Sequence, residues 1–279
     1  EMDYEIAPQI KDLLIDFVQR SDLGYIGPIP EVADGFVGFA TRHWGWTPDS
    51  KQIRIATDVS VGTVEILRAI TKRGDRVLIN TPVYAAFFGW LREVGCEIAD
   101  VPLIADLETW RLDIQGIERA FQDGVKFYLL CSPHNPMGRV HERHELEAIA
   151  ELAQRYGVVV ISDEIHAPLT YADQSFVPYL SVSDAARETG VVVTAASKSF
   201  NLAGLKASII VTQSETMAQR IGGVVPDIHW RSGILGGFAM AEAFTNCDDW
   251  LAQAVEANRA NRDLLTRLVS ERLPGVPYW

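Results

Sequence analysis

The stretch Val191–Lys206, VVVTAASKSFNLAGLK, decides the fold class that we predict for this chain. Its first four residues are β-branched and predict a buried strand, of the kind found in parallel sheets that are covered on both faces. Three small residues, 195–197, then lead to a single lysine, Lys198. Because open α/β sheets bind ligands beyond the carboxyl ends of their strands, the small residues leave room for a ligand beside this amine. Desolvation there makes a lysine nucleophilic enough to form a Schiff base, and an ordinary surface lysine is the alternative.

Strand and helix signals alternate along most of the chain. Apolar and β-branched runs predict strands at 53–57, 76–80, 96–101, 126–131, 158–161, 191–194 and 207–211. Helical periodicity predicts helices at 10–17, 30–44, 64–72, 82–94, 114–121, 142–156, 215–221, 233–245 and 248–272. Strands that alternate with helices predict an α/β fold with a mainly parallel sheet and right-handed crossovers.

The composition narrows the class of protein and its partners. With 279 residues, 48% of them apolar and 22% charged, the chain can bury a core the size of one large α/β domain. A net charge of −12 disfavours nucleic acid and anionic membranes as partners, and no apolar run is long enough to predict a transmembrane helix. Cys96, Cys131 and Cys247 lack metal-ligand spacing, and the chain starts without a secretory pattern. We therefore expect free thiols, no metal site and a cytoplasmic location.

A carboxylate follows one of the predicted buried strands. Asp163 comes directly after the run 158–162, VVVIS, where an unpaired carboxylate is costly to bury. A protonated ring nitrogen in a ligand would neutralise this charge. The alternative is a helix-capping aspartate close to the surface.

A second strand leads into a segment suited to anions. Val61-Gly62-Thr63 precedes the helix predicted at 64–72, so that glycine would let the backbone approach a phosphate and the helix dipole would favour its charge. A simple helix cap is the alternative.

After the strand 126–131 comes the proline-rich loop SPHNPMGR, which contains Asn135 and which could equally be a rigid connecting turn.

Together these segments resemble the fold-type I enzymes that use pyridoxal 5′-phosphate (PLP). More narrowly, SKSFNLAGLK, PHNPMGR and DEIHA resemble the cystathionine β-lyase branch of the class I/II aminotransferase superfamily, the C–S lyases of the MalY/PatB type. The resemblance extends from Tyr25 to the long last helix. It implies a three-layer sandwich, the PLP-dependent transferase-like large domain, with most of the small domain absent from this chain.

The resemblance also implies a role for each candidate residue. Lys198 would hold PLP and act as the base, Asp163 would face the ring nitrogen, and Tyr25 would reach the phosphate of the neighbouring subunit in a homodimer. The remaining candidates for PLP binding are Val61, Gly62, Thr63, Ser197 and Lys206 at the phosphate, Asn135 and His166 at the phenolic oxygen, and Tyr84 on the ring face.

Four positions depart from the pattern or remain open. Lys206 stands where relatives often carry an arginine. The lysine keeps the positive charge but lacks the bidentate geometry of a guanidinium. Ala195 lacks a hydroxyl that some relatives place there. His166 stands where other branches carry a tyrosine, and both His166 and Tyr84 have core packing as the alternative role.

The resemblance implies a reaction and a domain layout. We expect an α,β-elimination that cleaves cystathionine-like S-substituted cysteines to a thiol, pyruvate and ammonia. An aminotransferase on the same fold and a non-catalytic regulatory protein that retains PLP are the alternatives. Residues 1–24 would form an N-terminal segment, 25–247 the PLP-binding domain, and 248–279 a long helix that leads to a C-terminal domain outside this chain. Both ends of the chain are therefore expected to be cut.

Overall fold

The structure, a computed structural model, describes residues 2–105 and 109–276. Its strands are β1 (Ile53–Ala56), β2 (Arg76–Ile79), β3 (Glu97–Asp100), β4 (Ile104–Ala105), β5 (Trp110–Arg111), β6 (Phe127–Cys131), β7 (Val159–Asp163), β8 (Gly190–Thr194) and β9 (Ser208–Val211). Its helices are α1 (Pro8–Gln19), α2 (Pro30–Trp44), α3 (Val59–Ile70), α4 (Ala86–Val94), α5 (Ile114–Gln122), α6 (Arg143–Tyr156), α7 (Asp184–Thr189), α8 (Glu215–Arg220), α9 (Asp227–Trp230), α10 (Ile234–Asn246) and α11 (Asp248–Arg272).

Seven of these strands form one sheet, in the spatial order β1-β9-β8-β7-β6-β2-β3. The pairs from β8 to β3 are parallel, whereas β9 runs antiparallel to both of its neighbours. The predicted α/β fold with a mainly parallel sheet is therefore confirmed. In the register, Asp163 lies between Cys131 of β6 and Val193 of β8, so the carboxyl ends of three adjacent strands lie side by side.

Helices cover both faces of this sheet. Along β8, Val192 packs into one buried cluster with α2, α6 and α10, while Val191 and Val193 pack into a second cluster with α3 and α4. Successive side chains of a strand point to opposite faces, so the β-branched run supplies both layers of core. Each fully buried valine stabilises the fold by roughly 1.5–3 kcal/mol relative to an exposed one. The three-layer sandwich is thus confirmed.

Several predicted boundaries need correction. Helix α3 begins at Val59 and not at Val64, because the side chain of Asp58 accepts a hydrogen bond from the Val61 amide at 2.8 Å and caps the helix. Helix α4 begins at Ala86 and not at 82. Strand β7 continues two residues beyond Ile161 and ends at Asp163.

Helices α1 and α11, the first and last helices of the described chain, both contribute buried residues to the core. In α1, Ile10 is buried in the same cluster as Phe36 of α2, and Phe17 contacts Phe238 of α10 with ring centroids 4.8 Å apart. At the other end α11 matches its predicted bounds. The predicted segments 1–24 and 248–279 include residue 1 and residues 277–279, which lie outside the described part of the chain. No helix within the described ranges is both long and apolar enough to cross a membrane.

Candidate active site

A cavity of about 330 Å³ lies beyond the carboxyl ends of β6, β7 and β8. It contains seven of the predicted site residues: Tyr84, Asn135, Asp163, His166, Ser197, Lys198 and Lys206. The other described residues that line it are Met2, Asp58, Val59, Ser60, Trp90, Cys131, Ile165, Leu169, Ala203 and Ala207. Residues from distant parts of the sequence are thus brought to the sheet edge where α/β proteins bind ligands.

Lys198 is positioned by a tight turn after β8. The Phe200 amide donates to the Ala196 carbonyl at 2.9 Å, and the Leu202 amide donates to the Ser197 carbonyl at 2.9 Å. Phe200 is fully buried and stacks on Trp250 of α11, with ring centroids 6.0 Å apart. This buried ring anchors the turn, so the half-buried Lys198 side chain is held at the cavity wall.

Asp163 presents a buried acid on the same cavity. It is 5% exposed, and its Oδ1 accepts a hydrogen bond from the Ile165 amide at 3.2 Å. Burial raises the pKa of this carboxyl to about 7, against the opposing effects of the Ile165 hydrogen bond and the Lys198 charge. Within the described residues Asp163 belongs to no ion pair, so a cationic group in the cavity would stabilise its charged form.

The neighbouring Glu164 has a different environment. It is 1% exposed, and its Oε1 accepts hydrogen bonds from the Ser162 hydroxyl at 3.0 Å and the Tyr179 amide at 2.9 Å. Burial raises the pKa of Glu164 to about 8. Because its contacts are all within the protein, Glu164 fixes the end of β7 and leaves the cavity to Asp163.

The loop that carries Asn135 is hydrogen-bonded to the last residue of β6, Cys131. The Asn135 amide donates to Cys131 Sγ at 3.2 Å, and the loop closes through an N–H···O bond from His134 to Arg139 at 2.7 Å. The Asn135 side chain makes no hydrogen bond to any other described residue, so its amide is available to a ligand.

Two buried histidines support this loop. His134 Nε2 lies 3.1 Å from the Asn80 carbonyl oxygen, and His141 Nε2 lies 3.0 Å from the Cys131 carbonyl oxygen. Burial lowers the pKa of both imidazoles to about 4. At neutral pH each is an uncharged donor to a backbone carbonyl, which ties the loop to the ends of β2 and β6.

The segment predicted to bind the phosphate, residues 61–63, does not line the cavity, whereas the three residues before it do. Val61, Gly62 and Thr63 lie inside α3 and are absent from the cavity lining, where Asp58, Val59 and Ser60 stand instead. Gly62 and Thr63 are buried against the sheet. The helix N-terminus still faces the cavity, next to Ser197 and Lys206. In the sequence, Asp58 is an N-cap signal, and it would have located the start of this helix correctly.

Aromatic residues form another part of the wall. Tyr84 packs edge-on against Trp90, with ring centroids 6.2 Å apart and an interplanar angle of 72°. His166 lines the same cavity, and burial lowers the pKa of its imidazole, as does the charge of Lys198. Tyr25 is not part of this cavity, and its side chain is 89% exposed. None of the described residues forms a group of acids, histidines and cysteines suited to a metal ion.

Several known proteins are similar to this chain in sequence or in fold. The family model "Aminotransferase class I and II" matches residues 39–279. The chain is 39% identical to the "Putative cystathionine beta-lyase" of Mycobacterium tuberculosis, over 100% of this chain and 69% of that protein. It is 29% identical to the cystathionine beta-lyase PatB of Bacillus subtilis, over 99% and 72% of the two chains. Cystalysin from Treponema denticola, whose crystal structure contains pyridoxal 5′-phosphate, superposes with a TM-score of 0.93 at 25% identity, over 98% of this chain and 70% of that one.

The fold and the site therefore define an α/β protein with a lysine and a buried acid on one cavity at the sheet edge. The chain belongs to the aminotransferase class I and II family, as its match to that family model and its 39% identity to the mycobacterial protein establish.

Proposed function

We propose that this chain is the PLP-binding part of a C–S β-lyase, which cleaves cystathionine-like S-substituted cysteines to a thiol, pyruvate and ammonia. The observation that carries the proposal is the placement of Lys198 and Asp163 on one cavity, at the ends of adjacent strands. The names of the relatives favour a lyase over the other reactions of the family, since both PatB and the mycobacterial protein are called cystathionine beta-lyases.

The residues present fit PLP at each of its polar groups. Asp163 is a buried carboxylate without a cation of its own among the described residues, as expected of a partner for a protonated pyridine nitrogen. At the other side of the cavity, Lys206, Ser197 and the N-terminus of α3 supply a cation, a hydroxyl and backbone donors for a phosphate. The side-chain amide of Asn135, which has no hydrogen-bond partner among the described residues, suits a phenolic oxygen.

The chemistry then divides between cofactor and protein. When bound, PLP supplies an electron sink for the pair of electrons left at the substrate α-carbon. Lys198 Nζ would hold the cofactor and, once released by the incoming amino acid, take the α-proton as general base. Asp163 would keep the ring nitrogen protonated, and Asn135 and His166 would orient the ring. The β-thiolate would leave with the electrons of the C–S bond, and water would hydrolyse the remaining three-carbon unit, which still carries the amino nitrogen, to pyruvate and ammonia.

The proposal extends to a homodimer and to the cytoplasm. Tyr25 is exposed and does not line the cavity of its own chain, and Leu23, nearby in the sequence, is exposed as well, so this segment is available to a second copy. Subunits that carry Lys198→Ala and subunits that carry Tyr25→Phe would then complement each other when mixed, and a lack of recovered activity in such mixtures would count against Tyr25.

All three cysteines are free thiols, which suits a reducing compartment.

The direct test is the absorbance spectrum of the purified protein with PLP, followed by borohydride reduction and mapping of the labelled lysine. We expect the label on Lys198, and its loss in Lys198→Ala. Lys51→Ala is the matched control, because Lys51 lies on a different surface. A label that persists in Lys198→Ala would refute the assignment.

The second measurement separates the reactions. Pyruvate release from L-cystathionine supports the lyase, whereas amino transfer that depends on a keto acid would favour the aminotransferase. Binding of PLP without turnover of either kind would favour the non-catalytic alternative.

A further inference from the structure

The cavity already contains an anion from the protein at the place suited to a phosphate. Asp58 is the N-cap of α3, and its Oδ1 accepts the Val61 amide hydrogen bond at 2.8 Å. Its Oδ2 accepts a hydrogen bond from Lys206 Nζ at 3.2 Å. Both Asp58 and Lys206 line the cavity, together with Ser60 and Ser197. One carboxylate thus engages both a helix N-terminus and the cation that would meet a phosphate.

These two features are the ones that make a phosphate site. The N-terminus of a helix attracts anions through its free amides and its dipole, and a lysine adds a full positive charge. A phosphate ester carries nearly two negative charges at neutral pH. If it enters this end of the cavity, it shares Lys206 with the Asp58 carboxylate and is repelled by that carboxylate.

The pair is able to open. The side chain of Lys206 is 57% exposed and that of Asp58 is 29% exposed, so solvent screens their attraction and Lys206 can reorient at little cost while Asp58 keeps its cap. The cofactor can therefore displace the carboxylate from Lys206, but only after breaking this pair.

We propose that Asp58 is an internal competitor of the cofactor phosphate, which weakens PLP binding and neutralises Lys206 in the cofactor-free protein. This inference rests on the proposed function, since it takes PLP as the ligand. It assigns to Asp58 control of cofactor affinity, apart from any part in the reaction.

The test is the dissociation constant for PLP in Asp58→Asn. Asparagine caps helices as well as aspartate does, so this change removes the charge and keeps the cap. We expect PLP to bind about three- to tenfold more tightly to Asp58→Asn than to the unsubstituted protein, with the difference shrinking as ionic strength rises. Asp58→Ser, which also keeps a capping oxygen, serves the same purpose if the asparagine variant does not fold.

The matched control is Asp113→Asn. Asp113 caps α5 in the same manner, through the Gly116 amide at 2.8 Å, and pairs with Arg119, but it is not part of the cavity. PLP affinity should not change in this variant. Inorganic phosphate provides a second probe: it should raise the melting temperature of cofactor-free Asp58→Asn more than that of the unsubstituted protein.

The outcomes distinguish this inference from the proposed function. PLP that labels Lys198 but binds equally or more weakly to Asp58→Asn overturns the inference and leaves the proposed function intact. Failure of PLP to bind the unsubstituted protein at all overturns both.

Discussion

The side chain of Asn201 holds the backbone of Met2 at two points. Asn201 Nδ2 donates to the Met2 carbonyl at 2.8 Å, and Asn201 Oδ1 accepts from the Met2 amide at 3.2 Å. The same Nδ2 donates to the Tyr4 carbonyl at 2.9 Å. Because Asn201 follows Lys198 by three residues and Met2 lines the cavity, the turn that positions the lysine also fixes another part of the cavity wall.

We therefore expect Asn201→Gly to loosen residues 2–4 and to lower the free energy of unfolding by about 1–3 kcal/mol, the net contribution of its hydrogen bonds. Glycine is chosen because Asn201 has a positive φ of 59°, which alanine would strain. Urea unfolding measures the effect. Ser21→Gly, at a similar φ of 57° on an exposed turn, is the control for the backbone change alone. Equal stabilities of the two variants would contradict the prediction.

We expect Asp163→Asn to lower kcat for pyruvate release from L-cystathionine by about 100-fold or more, because the amide cannot stabilise a protonated ring nitrogen by its charge. Steady-state kinetics with saturating PLP measure this. Glu164→Gln is the control, since it changes an equally buried neighbouring acid that contacts only the protein. Substantial turnover in Asp163→Asn would remove this residue from the mechanism.

We expect Glu164 to make stability fall as the pH rises. Burial raises its pKa from an ordinary value of 4.5 to about 8, so between these values the folded protein binds a proton that the unfolded chain has lost. Its contribution is fully present below about pH 4.5 and is lost as the pH rises through about 8. Urea unfolding at several pH values should show the stability of the unsubstituted protein falling relative to Glu164→Gln across this window. A constant difference would show that Glu164 is ionised in the folded protein.

Local sequence signals were sufficient for much of the fold. Helix α2 has its predicted bounds, and in the structure it begins with Pro30 at its first position and ends at Gly45, a left-handed residue. The strand β8 followed from its β-branched residues. Lys198 and Asp163 could be assigned to one site because both follow buried strands of a parallel sheet, whose ends share an edge.

Other features depend on contacts that no short stretch of sequence specifies. The predicted N-terminus of α3, at Val64, is too late because helical periodicity does not show the decisive interaction, the hydrogen bond from the Val61 amide to Asp58. The strands β4 and β5 have only two residues each, which is too short for an apolar run that would predict them. The position of Met2 depends on Asn201, which lies 199 residues away. The order of the strands could not be derived from local patterns either.

The register that aligns Cys131, Asp163 and Val193 has a consequence for how the protein acquires its cofactor. Parallel pairing of β6, β7 and β8 needs contacts between distant parts of the chain, and such contacts form late in folding. A partly folded chain therefore offers PLP no complete receptor. We therefore expect bound PLP to stabilise only the folded structure, so a substitution that destabilises any of these three central strands should first appear as a protein that releases its cofactor too readily.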